Sequence, residues 1–302
     1  MTRVAAIDCG TNSIRLLIAD IDGDSKTDLV REMRIVRLGQ GVDQTGRLAD
    51  EAIARTLEAC REYRELIETA GVEKISFAAT SATRDAANAQ EFSTVVYDVL
   101  GVYPQVFTGE QEATASFIGA SRELGEGPTL VIDIGGGSTE FVQGEGVPSF
   151  AQSVNIGCVR LTERHLASDP PTRSEIDACI ATIDSHIVPI LTSLPVTETL
   201  IMVAGTVTSI AAHALGLSDY DSERIHGSRI SFDDFAASAA DLVARTVEQR
   251  SELGFMHPGR ADVIGGGSLI VQRILTHANV SNRVVVVSER DILDGIALTA
   301  AN

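Results

Sequence analysis

Short apolar runs bounded by glycine or aspartate alternate along this chain with longer stretches of helical period. Residues 4–9, 14–20 and 27–37 have the β-branched, apolar character of strands and follow each other closely enough for a meander, broken by GQG at 39–41. Residues 51–70 predict an amphipathic helix, with Ile53, Leu57, Cys60, Leu66 and Ile67 on one stripe, Asp50 as N-cap and Gly71 just past the end. A short buried strand is predicted at 75–80, a helix at 83–100 ended by Gly101, a strand stub at 106–107 and a helix from Gly109 to about Leu124. The polar GEGP at 125–128 is the clearest boundary. Beyond it the order begins again: strand 129–134, a glycine turn, strand 140–143 and a turn at 144–146. Later markers are a strand at 200–204 leading into a helix, ADVIGGGS at 261–268 opening another helix, a strand at 283–287 and a last helix at 291–300. Strands followed by alternating helices predict an α/β fold with mixed sheets. The expected division is residues 1–124, joined by the C-terminal helix 288–302, and residues 125–287.

The stretch VIDIGGGSTEF at 131–141 contains what resembles a flexible linker, yet its glycines follow a strand apolar enough to be buried on both faces, where a linker has no reason to be. It lacks the Lys-Ser/Thr pair of a Walker A loop. It is also not G-x-G-x-x-G opening a helix, because Glu140 and a strand follow. The remaining reading is a tight turn inside a hairpin, whose backbone N–H groups line a concave anion nest. The chain opens on the same pattern, VAAIDCGTNSIRLLIAD at 4–20. Asp8, Gly10 and Ser13 match Asp133, Gly135 and Ser138 at one constant offset, and both copies lie between strands. This is an internal repeat. Two copies of one half-fold are expected to face each other across a central cleft, each contributing an Asp and a hydroxyl-rich loop.

Composition narrows the chemistry. Of 302 residues, 44% are hydrophobic and 22% charged, enough to build cores, and the net charge is −18. That charge argues against non-specific nucleic-acid binding, which needs a basic face. It also means that a phosphate site here must gather positive charge locally or recruit a metal ion. Cys9, Cys60, Cys158 and Cys179 are scattered without C-x-x-C and read as reduced thiols of a cytoplasmic protein. The first strand begins too early for a signal peptide, and no apolar run approaches the roughly 20 residues of a membrane helix. No membrane partner is expected.

Nine stretches together carry a resemblance: IDCGTNSIRLLI, TSATRDAAN, TGEQEA, VIDIGGGSTEF, NIGCVRLTERH, AGTVTSIAA, RIHGSRIS, GRADVIGGGSLIVQRIL and VSERDILDG. They run from the first strand to the last helix. The chain resembles the exopolyphosphatase / guanosine pentaphosphate phosphohydrolase family of the actin-like superfamily, in its short two-domain form. The resemblance implies two actin-like (ribonuclease H-like) domains and attack of water on the terminal phosphoanhydride of inorganic polyphosphate or pppGpp. An ATP-dependent kinase or ATPase of the same superfamily and a non-catalytic polyphosphate sensor are the rivals.

Phosphoryl transfer needs charge neutralised on the equatorial oxygens, a water held in line and a stabilised leaving oxygen. Thr11, Asn12 and Ser13 from the first loop, and Gly135, Gly136, Gly137, Ser138 and Thr139 from the second, are the expected phosphate donors. Glu112 matches the family's catalytic glutamate in G-x-x-E-A and is expected to act as general base; Glu110 is the neighbour that does not match. A first-turn glutamate is by itself common, because the helix dipole favours it. Arg84 matches a family arginine near the bound phosphate, where its fork suits phosphate oxygens. Asp133 and Glu140 are implied cation ligands with Asp8 as third contributor, and their hard oxygens suit Mg²⁺ or Mn²⁺. Arg160, Arg229 and Arg260 are candidates for a basic track. His226 is expected to be structural. Gly205-Thr206 and Gly265–Gly267 lie where a nucleotide-binding relative holds its adenosine. A homodimer is the expected assembly.

Overall fold

The computed structural model describes residues 1–23 and 25–301. The chain divides into two compact units. The first is Met1–Gly119 together with the C-terminal segment from Ile292, and the second is Ala120–Asp291.

In the first unit the elements are β1 (Thr2–Cys9), β2 (Ser13–Asp22), β3 (Ser25–Ile35), α1 (Val42–Thr45), α2 (Asp50–Ala70), β4 (Lys74–Ala79), α3 (Ser81–Arg84), α4 (Ala89–Leu100), β5 (Gln105–Val106) and α5 (Gly109–Leu124), the last crossing into the second unit. Sheet order is β3-β2-β1-β4-β5. The first three strands are an antiparallel meander, and β4 and β5 run parallel to β1 and β4 respectively. Side chains alternate across β1. Ala5, Ile7 and Cys9 enter the core that holds Tyr63 of α2 and Phe92 and Val96 of α4. Val4 and Ala6 enter the opposite layer, with Ala115 of α5 and the C-terminal helix. Asp8 therefore lies at the end of β1 on the face that α5 covers.

The second unit contains β6 (Thr129–Ile134), β7 (Thr139–Glu145), β8 (Val147–Val154), α6 (Cys158–His165), α7 (Arg173–Ser193), β9 (Thr199–Val203), α8 (Ala204–Ala214), α9 (Ser222–Ile225), β10 (Arg229–Ser231), α10 (Phe232–Ala244), α11 (Val247–Ser251), α12 (Ile264–His277) and β11 (Val284–Val287). The last helix, α13 (Ile292–Ala300), returns to the first unit and packs on β1, β2 and β4. The second sheet, written from its meander edge, is β8-β7-β6-β9-β11-β10. Again β6, β7 and β8 are antiparallel while β9 and β11 run parallel to β6 and to each other. The half-fold is duplicated in topology as well as in motif, with β10 added at the far edge.

Three local differences from the sequence reading have physical causes. Asp50 is the first helical residue, not the cap; Ala49 takes the extended cap position without a side-chain bond. The predicted helix at 83–100 is two helices. Asn88 spends its amide on the Leu48 backbone, accepting from its N–H at 2.9 Å and donating to its carbonyl at 3.0 Å, so the helix breaks where another loop pairs with it. Finally, α7 is the one helix among the described residues with the length and apolar content to cross a membrane. Its Cys179, Ile183, Ile187, Ile190 and Leu191 are buried in the core of the second unit. Its Asp184 accepts from Arg273 of α12 at 2.7 and 2.9 Å.

Candidate active site

The glycine loop between β6 and β7 is shaped by what binds its carbonyls. Gly135 N–H closes the turn on Ser138 O at 3.0 Å. The first turn of α6 then takes the rest. Cys158 N donates to Gly135 O at 3.0 Å, Val159 N and Arg160 N to Gly136 O at 2.9 and 3.1 Å, and Arg160 Nε to Gly137 O at 2.8 Å. In a planar trans peptide, a carbonyl and the N–H of the next residue point in opposite directions. Turning these three carbonyls toward α6 aims the N–H groups of Gly136, Gly137 and Ser138 the other way, and none of the three has an acceptor among the described residues. Three like-directed amide donors are an anion-accepting surface.

Loop 1, between β1 and β2, repeats the device. Gly10 N donates to Ser13 O at 2.9 Å, Gly39 N to Thr11 O at 2.8 Å, and Val36 N and Arg37 N to Asn12 O at 3.0 and 2.9 Å. Arg37 adopts φ 50° to do so. One glycine in each unit lets the capping segment come this close. A Cβ on Gly39 would collide with the Thr11 methyl, and a Cβ on Gly157 would meet the Gly136 carbonyl carbon and stand 2.5 Å from Gly137 N. Sequence reading missed Gly39 and Gly157. In sequence GQG reads only as a chain break and NIGC only as part of a matching stretch.

Carboxylates at the two loops differ. Asp133 and Glu140 are direct cross-strand partners on β6 and β7, and Asp8 and Arg15 hold the equivalent positions on β1 and β2. Asp8 Oδ2 accepts from Arg15 Nη2 at 2.6 Å and Nε at 3.0 Å, so its charge is matched within the hairpin. Asp133 and Glu140 are two acids at one rung, 7% and 1% exposed. Ser153, next in the row on β8, donates to Glu140 Oε1 at 2.7 Å. Two acids on one buried rung fit a place for a cation. Among the described residues no group of three or more His, Cys, Asp or Glu is assembled for a metal. A pair of hard carboxylates nonetheless fits Mg²⁺, which is held by one or two acids and otherwise by water and phosphate oxygens. Asp8, paired with Arg15 in the first unit, fits that role less well.

Glu112 sits in the first turn of α5, 8% exposed. A reciprocal cap fixes that turn: Thr108 N donates to Gln111 Oε1 at 2.9 Å and Gln111 N to Thr108 Oγ1 at 3.2 Å. Arg84 Nη1 donates to Glu112 Oε2 at 3.0 Å and to Phe107 O at 2.9 Å. Arginine and glutamate, expected in separate roles, are thus one ion pair. Glu110 carries no such contact among the described residues and is exposed.

Other candidates are placed elsewhere. Thr139 is fully buried and gives its proton to Ile156 O at 2.7 Å, so its hydroxyl is not available to a ligand in this arrangement. His226 Nδ1 accepts from Glu289 N at 3.2 Å, which leaves Nε2 to face Glu123 at 3.2 Å, a structural bridge. Arg229 is exposed on β10. Arg260 donates to Ser209 Oγ at 2.9 Å and lies against Gly205, where a Cβ would be 2.5 Å from its guanidinium. The later glycines serve packing: Cβ atoms on Gly266 and Gly267 would stand 2.7 Å from Thr162 Oγ1 and 2.5 Å from Thr206 Oγ1. All four cysteines are free and buried, and burial pushes the thiols of Cys60 and Cys179 up to about 12 and those of Cys9 and Cys158 upward as well.

Duplicated sheets with capped hairpin loops define an α/β protein with an anion-accepting glycine loop beside paired acids. The chain belongs to the Ppx/GppA phosphatase family, whose match spans residues 17–300. It is 46% identical to Exopolyphosphatase 2 of Mycobacterium tuberculosis, over all of this chain and 99% of that protein. It is 35% identical over 63% of its length to the guanosine-5'-triphosphate,3'-diphosphate pyrophosphatase of Vibrio atlanticus, covering 38% of that protein. A solved exopolyphosphatase-like protein superposes with TM-score 0.94 and 42% identity, over 99% of this chain and 97% of that one.

Proposed function

We propose that this protein is an exopolyphosphatase that hydrolyses the terminal phosphoanhydride of inorganic polyphosphate and releases orthophosphate. The observation that carries the reading is the loop at 135–138, whose carbonyls are bound by α6 and whose three N–H donors are turned outward beside Asp133 and Glu140. Family membership and the name of the M. tuberculosis relative support it.

In this reading each loop offers phosphoryl oxygens its backbone N–H groups and hydroxyls. Glu112 accepts the proton of the attacking water. Arg84 exchanges part of its contact with Glu112 for a phosphate oxygen as substrate arrives, leaving the carboxylate free to orient that water. Asp133 and Glu140 would hold Mg²⁺, whose chemistry is to neutralise charge on the phosphate chain. The setting is cytoplasmic, in keeping with four thiols kept free and buried.

A second reading, 5'-phosphohydrolysis of pppGpp at the same loops, draws on the V. atlanticus relative, since both substrates end in the same phosphoanhydride. Phosphate release from short polyphosphate, long polyphosphate, pppGpp and ATP, with Mg²⁺ and with EDTA and beside Glu112→Ala, tests the proposal. Metal-dependent release from polyphosphate that the variant loses supports it. Preference for pppGpp moves the substrate, and release from ATP alone overturns the hydrolase reading in favour of an ATPase.

A further inference from the structure

Thr11 in loop 1 is held by both branches of its β-carbon. Its methyl rests against Gly39, so closely that a Cβ there would overlap it, and its Oγ1 lies 2.8 Å from Ser81 Oγ. Thr11 is 7% exposed and Ser81 2%. With methyl and hydroxyl both engaged, χ1 of this β-branched residue has one setting. The loop thus meets a ligand with its hydroxyl oxygen already in place.

Ser81 opens α3, the single turn that follows β4, and Thr80 N binds Cys9 O at 3.1 Å, tying the ends of β1 and β4 together. Arg84, the last residue of the same turn, holds Glu112. One turn of helix therefore touches the first phosphate loop at one end and the candidate base at the other.

We propose that Ser81 is a positioning residue for Thr11: it donates its proton to Thr11 Oγ1, so that the Thr11 proton is directed to an oxygen of the phosphate chain. The proposal rests on the phosphoanhydride reading for the identity of the ligand. A hydroxyl has one proton and two lone pairs. A bond between two hydroxyls uses one proton and leaves the other over. An anion on loop 1 requires Thr11 to donate to it, and this makes Ser81 the donor within the pair. The two bonds then run in one direction, each polarising the other, in a site with little solvent.

The experiment is a mutant cycle read in two ways. Ser81→Ala, Ser81→Thr, Thr11→Val and the Ser81→Ala/Thr11→Val double are each placed on a Glu112→Gln background. Binding of tripolyphosphate in Mg²⁺ is measured there by calorimetry, and kcat and KM for tripolyphosphate are measured with Glu112 intact. Ser81→Ala is expected to weaken binding about five- to tenfold and raise KM by the same factor, with kcat nearly unchanged. Ser81→Thr, which keeps the hydroxyl, restores binding. The double variant binds no more weakly than Thr11→Val alone, because the two substitutions remove one chain of bonds. All variants melt as the parent does, which separates positioning from folding. Wild-type affinity in Ser81→Ala, failure of Ser81→Thr to restore it, or losses that multiply in the double variant overturn the proposal. If the unsubstituted protein releases no phosphate, the hydrolase reading falls while the binding cycle still decides the role of Ser81. If the Glu112→Gln protein binds no tripolyphosphate, the proposal falls too.

Discussion

Arg84 donates a hydrogen bond from Nη1 to Oε2 of Glu112 at 3.0 Å, and the same nitrogen reaches the Phe107 carbonyl at 2.9 Å. The pair sets one side chain to work on the other. Glu112→Gln keeps the shape and removes the base. We expect kcat to fall by about two to four orders of magnitude, with KM little changed. Arg84→Lys keeps the charge but loses the fork, and is expected to raise KM as well as lower kcat. Steady-state phosphate release measures both.

The Asp133–Glu140 rung predicts a metal requirement. Asp133→Asn and Glu140→Gln should each raise the Mg²⁺ concentration needed for half-maximal activity by tenfold or more, and EDTA should abolish activity in the parent. Titration of activity with Mg²⁺ checks this, and calorimetry of Mg²⁺ binding with tripolyphosphate checks it without turnover. A variant that titrates like the parent would remove the pair from the metal's coordination.

Gly157→Ala tests the loop device directly. The new methyl would meet the Gly136 carbonyl carbon and Gly137 N, which are backbone atoms and cannot rotate aside. The loop must move, so phosphate release should fall steeply, with a stability loss of about 1–3 kcal/mol. Denaturant unfolding and KM for tripolyphosphate measure the two effects.

Acid stability is predicted by a cluster on β3 and α13. Asp294 is buried, accepting from Arg31 at 2.6 and 3.2 Å and paired with Lys26 at 2.9 Å. Its pKa is lowered: burial opposes the charged form, and Arg31 and Lys26 outweigh it. Asp28, between the same two cations, is brought down to about 2 in the same way. Both carboxylates are depressed below their unfolded value of 3.8. The stabilisation from Asp28 is therefore complete above about pH 4 and is lost as pH falls toward 2, and that from Asp294 is likewise present above the unfolded value and lost in acid. Asp294→Asn should lower the unfolding free energy at pH 7 by roughly 3 kcal/mol, because two cations lose their buried partner. The gap between parent and variant should close in acid, as followed by thermal melting across pH 2–7.

Much of this protein is readable along the chain. Strand–turn–strand repeats, the Asp8/Asp133 and Gly10/Gly135 correspondence and the boundaries of α2, α5 and α13 follow from local periodicity and turn residues, which depend on neighbours in sequence. Glu112 was reachable by motif, and its place in the first turn of α5 by the helix read from Gly109. What escaped reading depends on partners far away in sequence. The break between α3 and α4 comes from Asn88 reaching Leu48. The functions of Gly39 and Gly157 come from what packs beside them, the Thr11 side chain and the Gly136–Gly137 backbone.

By itself, then, the sequence determined the duplicated α/β half-fold and the residue types at the two loops, because apolar period and glycine placement act locally. Only the tertiary structure decided which of those residues are committed. Asp8 is neutralised by Arg15 while its counterpart Asp133 faces Glu140. Thr139 spends its proton on Ile156 while Thr11 shares one with Ser81. Three loop carbonyls are turned inward so that three N–H groups turn out. A hydrogen bond or ion pair between residues distant in the chain exists only once the sheets have brought them together, and each donor or charge used inside the protein is one fewer for a ligand.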